Sequence, residues 1–471
     1  MSITSMLFFI CFLPVSLAIY YITNDKAKEY VLVVISVVFY ALGSIEYRYL
    51  FLTAILLTVL LGRGIHYYEN VVTRKIFLIT GILINLGILG YYKYTDFALI
   101  TYGNLTSTEV QLKGLILPLG ISFFTFKAIS YLVDIYKGVA KLEISPIHDA
   151  LYLSFFAQIQ SGPLSRYNET KLLNDKAFQI DLFSDGVQRF VIGFSKKVLI
   201  ANVLANITTE VFETPFENFS LAYAWLGAIC YSLQLFFDFA GYSDMAIGLS
   251  AMFGFHCKEN FNYPYMTESV TKFWRRWHIS LSEWFRDYIY IPLGGSRTEK
   301  KWRVYFNLLI VWLLTGIWHG ASWNFVVWGL GYFVAIAFER ITNLPGKLKT
   351  KTGKIVYRVL TLIFINFQWV LFNSTDLISG IRFLKRMFVC KTNELADLRT
   401  LFLIKDYGFF ILIAILFSFP IVPVLNEKLN KHQFVYVIYE VVKTLIIAFS
   451  FIWALSFVVA GQNNPFAYAN F

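Results

Sequence analysis

Long apolar runs decide which solvent this chain folds in. Runs at residues 7–21, 30–42, 49–61, 76–89 and 115–133 fill its first third, and others lie at 183–203, 221–253, 305–317, 323–337, 356–372, 409–424 and 435–459. Several approach the roughly 20 residues that cross a bilayer as a helix. With 57% apolar and only 15% charged residues, the chain cannot cover a water-facing surface, where about 25% charge is usual. The expectation is an all-α polytopic membrane protein with about eleven transmembrane helices. Tyr20, Tyr21, Tyr40, Tyr47, Tyr49, Tyr91 and Tyr92 crowd the run ends, where amphipathic rings sit at headgroup level. The first run reads as a retained anchor, because residues 1–6 hold no Lys or Arg and no small-residue cleavage pattern follows. No internal repeat or soluble domain interrupts the pattern, so residues 1–471 read as one membrane domain. Cys11, Cys230, Cys257 and Cys390 are scattered and read as packing residues.

The formal charge of +11 does not imply nucleic acid, since the bases sit in short loops between apolar runs, as the positive-inside rule places them. One cluster joins Lys272, Arg275, Arg276, Arg286, Arg297, Lys300, Lys301 and Arg303; a second joins Lys347, Lys349, Lys351, Lys354 and Arg358. If both face the cytoplasm, an even number of crossings separates them. The two intervening runs break near residues 319–322, deep in the membrane or toward its outer half. The same arginines could instead hold an anionic donor.

Ionisable groups inside apolar runs are costly and are functional candidates by default. Gln234, Asp238 and Asp244 lie in the run at 221–253; the first two share a helical face, and Gly241 could kink the helix. Their alternative role is to bond neighbouring helices. Asn260-Phe-Asn-Tyr-Pro-Tyr265 leads into Phe273-Trp-Arg-Arg-Trp-His278-Ile-Ser-Leu-Ser-Glu-Trp-Phe-Arg-Asp287, which reads as an interfacial amphipathic helix. Arg276 and His278 would point apart on it. Ile291-Pro-Leu-Gly-Gly-Ser-Arg297 reads as a turn. Then comes Trp318-His319-Gly-Ala-Ser-Trp-Asn324, a histidine that titrates near neutral pH beside a glycine that would leave room for substrate; its bland alternative is a histidine bonding a carbonyl. The six histidines form no HxxxH or HExxH pair, so no metal site is expected. No nucleophile elbow, phosphate loop or dinucleotide fingerprint occurs either.

Six stretches carry a family resemblance: Pro118-Leu-Gly-Ile-Ser-Phe-Phe-Thr-Phe126, Phe236-Phe-Asp-Phe-Ala-Gly-Tyr-Ser-Asp-Met-Ala-Ile-Gly248, Asn260-Phe-Asn-Tyr-Pro-Tyr265, the segment from Phe273 to Ser282, Arg286-Asp-Tyr-Ile-Tyr-Ile-Pro-Leu-Gly-Gly295 and the segment from Leu314 to Asn324. Together, over residues 118–329, they resemble the bacterial membrane-bound O-acyltransferases, most closely the alginate O-acetyltransferase branch. The resemblance implies re-entrant or interfacial helices around a central funnel, His319 as the essential histidine and His278 as a second polar position. Two stretches depart from the pattern: Lys127 stands where a neutral polar residue is expected, and Phe155-Phe-Ala-Gln-Ile-Gln-Ser-Gly-Pro163 is a loose version of its counterpart.

The expected chemistry follows. His319 acts as general base on a hydroxyl that attacks an acyl thioester, while Trp318, Asn324 or backbone N–H groups near Gly320 stabilise the developing oxyanion. Asp238, Asp244 and Asn260 are further candidate substrate-binding residues, and Arg275, Arg276 and Arg286 candidate donor-binding ones. No bound cofactor is expected; acetyl-CoA or an acyl-carrier thioester is the donor substrate. The resemblance further implies a polysaccharide acceptor, an extracytoplasmic acetyltransferase partner and a bacterial cytoplasmic membrane. D-alanyl transfer toward teichoic acid is the neighbouring reading. A transporter, which predicts paired repeats, and a non-catalytic scaffold of a glycan export complex are the readings from other classes.

Overall fold

All regular structure among the described residues of the computed structural model is helical; these are residues 1–140, 142, 145–169, 178–218, 220–389 and 395–461. Cys390 lies outside them, as do residues 170–177 of the polar sequence stretch 168–185. Among the described residues, seven helices are long and apolar enough to cross a bilayer: Arg48–Tyr67, Val71–Thr106, Ile180–Glu213, Trp323–Thr342, Lys351–Asn373, Leu398–Phe417 and Gln433–Val459. Other expected runs fold as shorter apolar helices, such as Phe8–Ile22, Lys28–Gly43 and Ile121–Tyr136. The protein is a multi-pass membrane protein.

The chain forms two compact units, Met1–Phe190 with Ser243–Lys258, and Val191–Tyr242 with Glu259–Phe471. In the first, Asn70 caps the Val71–Thr106 helix by accepting from Val72 N–H and Thr73 N–H, the usual way to satisfy its exposed first turn. The Ile121–Tyr136 helix is buried along nearly its whole length. It starts at Gly120, where φ is +67° and a Cβ would sit 2.2 Å from the Ile159 carbonyl oxygen. The two departures from the family pattern meet here. Lys127 Nζ donates to Gln158 Oε1 at 3.3 Å and lies 4.8 Å from the Tyr152 ring centroid, so the buried amine is held by Gln158 of the loose 155–163 stretch.

In the second unit, the Lys301–His319 and Trp323–Thr342 helices pack with backbone against backbone. A Cβ on Gly316 would meet the Phe325 carbonyl oxygen at 2.4 Å, and one on Gly329 the Trp312 carbonyl oxygen at 2.4 Å. Small residues at such crossings let membrane helices approach closely. Gly329→Ala must therefore push the pair apart. The expected cost is about 1–3 kcal/mol of overpacking, read as a lower melting temperature in detergent together with slower turnover. Gly408→Ala, whose Cβ would meet nothing within 4 Å, serves as control, and equal melting of the two variants would refute the tight crossing.

Candidate active site

The helix break expected near residue 319 is present: Lys301–His319 ends at the histidine, and the next helix starts at Trp323. His319 is only 2% exposed. Its ring lies edge-to-face against Trp318 at 4.8 Å, Trp328 at 4.9 Å and Phe372 at 5.2 Å between centroids. The room expected beside Gly320 is already filled, because a Cβ there would lie 2.0 Å from the Phe325 ring. Gly320 instead allows the phenyl ring to pack directly against the break.

The segment around His278, expected as one amphipathic helix, is broken at that residue. It forms Val270–Trp274 and Ile279–Phe285, separated by a residue in the left-handed region: His278, at φ +43°. A non-glycine residue held there is strained, and such strain persists only where surroundings enforce it. Asn260 does so. Its Oδ1 accepts from Ser280 N–H at 3.2 Å, from the Ser280 hydroxyl at 2.8 Å and from His278 Nδ1 at 3.2 Å. Ile279 N–H also donates to the Asn260 carbonyl. An Oδ1 that already accepts from a backbone N–H must accept from the imidazole too, which in the neutral ring leaves Nε2 as the acceptor nitrogen. Asn260 thus positions His278 and fixes its tautomer.

The Val270–Trp274 helix is anchored at its other end by Glu339, whose buried carboxylate accepts from Val270 N–H at 2.7 Å, Thr271 N–H at 2.8 Å, the Thr271 hydroxyl and the Tyr357 hydroxyl at 2.9 Å. Trp318 joins the two histidines, with its ring 6.4 Å from His278 and 4.8 Å from His319. Phe239 closes the other side of His278 at 4.6 Å. His278, His319, Trp318 and Asn260 are therefore brought together.

The other candidates are engaged differently. Asp238 pairs with Lys197 at 2.5 Å, and Lys197 Nζ also donates to Asn202 Oδ1 at 2.7 Å. Asp244 pairs with Arg189 at 2.6 Å in the first unit. Gln234 accepts from the Thr208 hydroxyl. Gly241 does not kink its helix, which runs unbroken over Leu221–Met252; a Cβ there would lie 2.7 Å from the Gly193 carbonyl oxygen and 3.0 Å from Lys197 N. Asn324 gives both N–H groups to carbonyls, those of Leu371 at 3.2 Å and Ser374 at 2.8 Å. Arg275 is exposed and Arg276 half-buried, while exposed Arg286 is paired with Asp287 at 2.6 Å. That bond raises the guanidinium above its ordinary range. The turn after Ile291 is present, with Gly294 and Gly295 at φ +107° and +57°.

Sequence reasoning passed over Lys197, Trp328, Phe372 and Glu339. Lys197 had a usable signal: it is a cation inside an apolar run, the criterion that singled out Asp238. The aromatic pair had none, in a chain with 11 tryptophans and 47 phenylalanines.

Residues 139–381 match the profile described as MBOAT, membrane-bound O-acyltransferase family, and both histidines, Asn260 and the helix break fall inside that span. The chain belongs to the membrane-bound O-acyltransferase family. As an O-acyltransferase it is similar to "Probable alginate O-acetylase AlgI" of Pseudomonas aeruginosa, at 38% identity over 84% of this chain and 77% of that protein. It is 35% identical to "Peptidoglycan O-acetyltransferase" of Helicobacter pylori over 81% and 78%. It is 28% identical to "Teichoic acid D-alanyltransferase" of Bacillus subtilis over 69% of this chain and 90% of that protein.

Proposed function

We propose that this O-acyltransferase moves an acetyl group from a cytoplasmic thioester, acetyl-CoA or an acyl-carrier protein, toward hydroxyls of an exported polysaccharide at a bacterial cytoplasmic membrane. His319 is the general base, and an extracytoplasmic acetyltransferase partner completes the transfer. The observation that carries this reading is the site itself: an imidazole at a helix break within a box of aromatic rings, with Trp318 between it and a second histidine of fixed tautomer. An imidazole lone pair can take a hydroxyl proton as the oxygen attacks, and the surrounding rings keep competing water out. Relatives named for O-acetylation match at higher identity than those named for D-alanyl transfer, which favours acetyl.

The test compares ester-linked acetyl and D-alanine on cell-surface polymers in a strain lacking the protein and in the same strain complemented. Loss and restoration of acetyl ester are expected. Loss of D-alanine instead transfers the reading to the teichoic acid branch, and no change in either ester discards both.

A further inference from the structure

Among the described residues around the site, the indole N–H groups of Trp274, Trp328 and Trp369 are buried without a hydrogen-bond partner. Buried tryptophan N–H groups ordinarily find acceptors, and leaving one unsatisfied costs the desolvation of the donor. Trp328 is fully buried and lies against His319 at 4.9 Å. Trp274 and Trp369 stand 5.8 Å and 6.1 Å from it. Two other donors near the break are already used: the Asn324 amide on the Leu371 and Ser374 carbonyls, and Gly320 N–H on the Gly316 carbonyl. An unused donor beside the base is where a transient acceptor belongs.

We propose that the Trp328 indole N–H is the hydrogen-bond donor to the acyl carbonyl oxygen during transfer, a role that builds on the acyl-transfer reading above. His319 takes the proton of the acceptor hydroxyl as its oxygen bonds to the thioester carbon. The carbonyl π pair moves onto oxygen and is held by Trp328. When the pair returns, the C–S bond breaks and the thiolate leaves with the proton from His319, giving an O-acyl ester and a free thiol. A donor strengthened only while charge builds on oxygen accelerates the chemical step rather than binding.

Trp328→Phe keeps an aromatic ring and removes the N–H. With purified enzyme in detergent, thiol release from acetyl-CoA should fall about 100-fold or more in kcat, with KM for acetyl-CoA unchanged within about twofold. Replacing Trp328 with 3-benzothienylalanine, which keeps the indole's shape with sulfur in place of N–H, should reproduce the loss and separates the donor from packing. Trp225→Phe removes an indole N–H already bonded to the Met387 carbonyl at 2.8 Å and should leave kcat intact. A Trp328→Phe or benzothienyl enzyme that keeps more than a third of wild-type kcat overturns the proposal, as does a loss confined to KM or an equal loss in Trp225→Phe. Whether wild type turns over acetyl-CoA or a D-alanyl carrier thioester tests the acetyl reading. The variant-to-wild-type ratio, taken on the thioester that wild type uses, tests Trp328 separately.

Discussion

Replacing His319 with alanine is expected to lower acyl transfer by about 10²- to 10⁴-fold, the usual contribution of a positioned general base, while the protein still inserts and purifies. His319 is the last residue of the Lys301–His319 helix, and truncating its side chain leaves the helical backbone hydrogen bonds in place. What remains is a small void among Trp318, Trp328 and Phe372. Such a void costs stability, and His319→Gln, which keeps more of the volume, separates that cost from lost chemistry. Both variants should show that loss of activity, with His319→Gln melting closer to wild type. Added imidazole should restore part of the alanine variant's activity if the void admits it. Thiol release from acetyl-CoA is the measurement, alongside melting in detergent. A His319→Gln enzyme retaining a tenth or more of wild-type turnover would remove His319 from the base role and reopen His278, whose Nε2 is the acceptor nitrogen of the fixed tautomer.

The fold class was legible because apolar run length reports directly on helices in a bilayer, and the break at residues 319–322 was legible because small residues interrupt two such runs. The site was legible only as far as its local motifs. His278 and Asn260 could be named, but not the left-handed turn that joins them: nothing in Trp-Arg-Arg-Trp-His announces positive φ, which is imposed by the three bonds converging on Asn260 Oδ1. Gly241 looked like a kink because glycine usually marks flexibility along its own helix. Here its missing side chain serves a neighbouring segment, whose backbone comes within 3 Å of the space a Cβ would take. Lys127 looked like an isolated anomaly, and its explanation lies 31 residues away in Gln158. Each of these misses is a contact between distant segments, which a pattern read along one segment does not contain. Lys197 was missed for another reason. Lysines in this chain were assigned to topology, and an assignment that suits loop lysines hid one inside an apolar run.

Breaking the Lys197–Asp238 pair should be the largest loss of stability from a single residue in the second unit. The two groups are 3% and 2% exposed and 2.5 Å apart, and Asn202 accepts from the same ammonium. Removing one partner strands a charge away from water, at a cost of about 3–5 kcal/mol. Lys197→Ala and Asp238→Ala should therefore both melt well below wild type or fail to purify. A Lys197→Met/Asp238→Leu double variant removes both charges, and apolar replacement of a buried pair is often neutral, so it should recover most of the loss. Lys197 lies in the π-helical turn Lys196–Ala201, a distortion common at functional sites. Asp238 precedes Phe239, whose ring packs on His278. The single variants are thus expected to lose activity along with stability. The double variant decides between the two roles open to Asp238. A stable, active double variant makes the pair a brace that holds Phe239 against His278. A stable, inactive one returns the carboxylate to substrate binding, and single variants that melt like wild type would mean that the pair holds nothing.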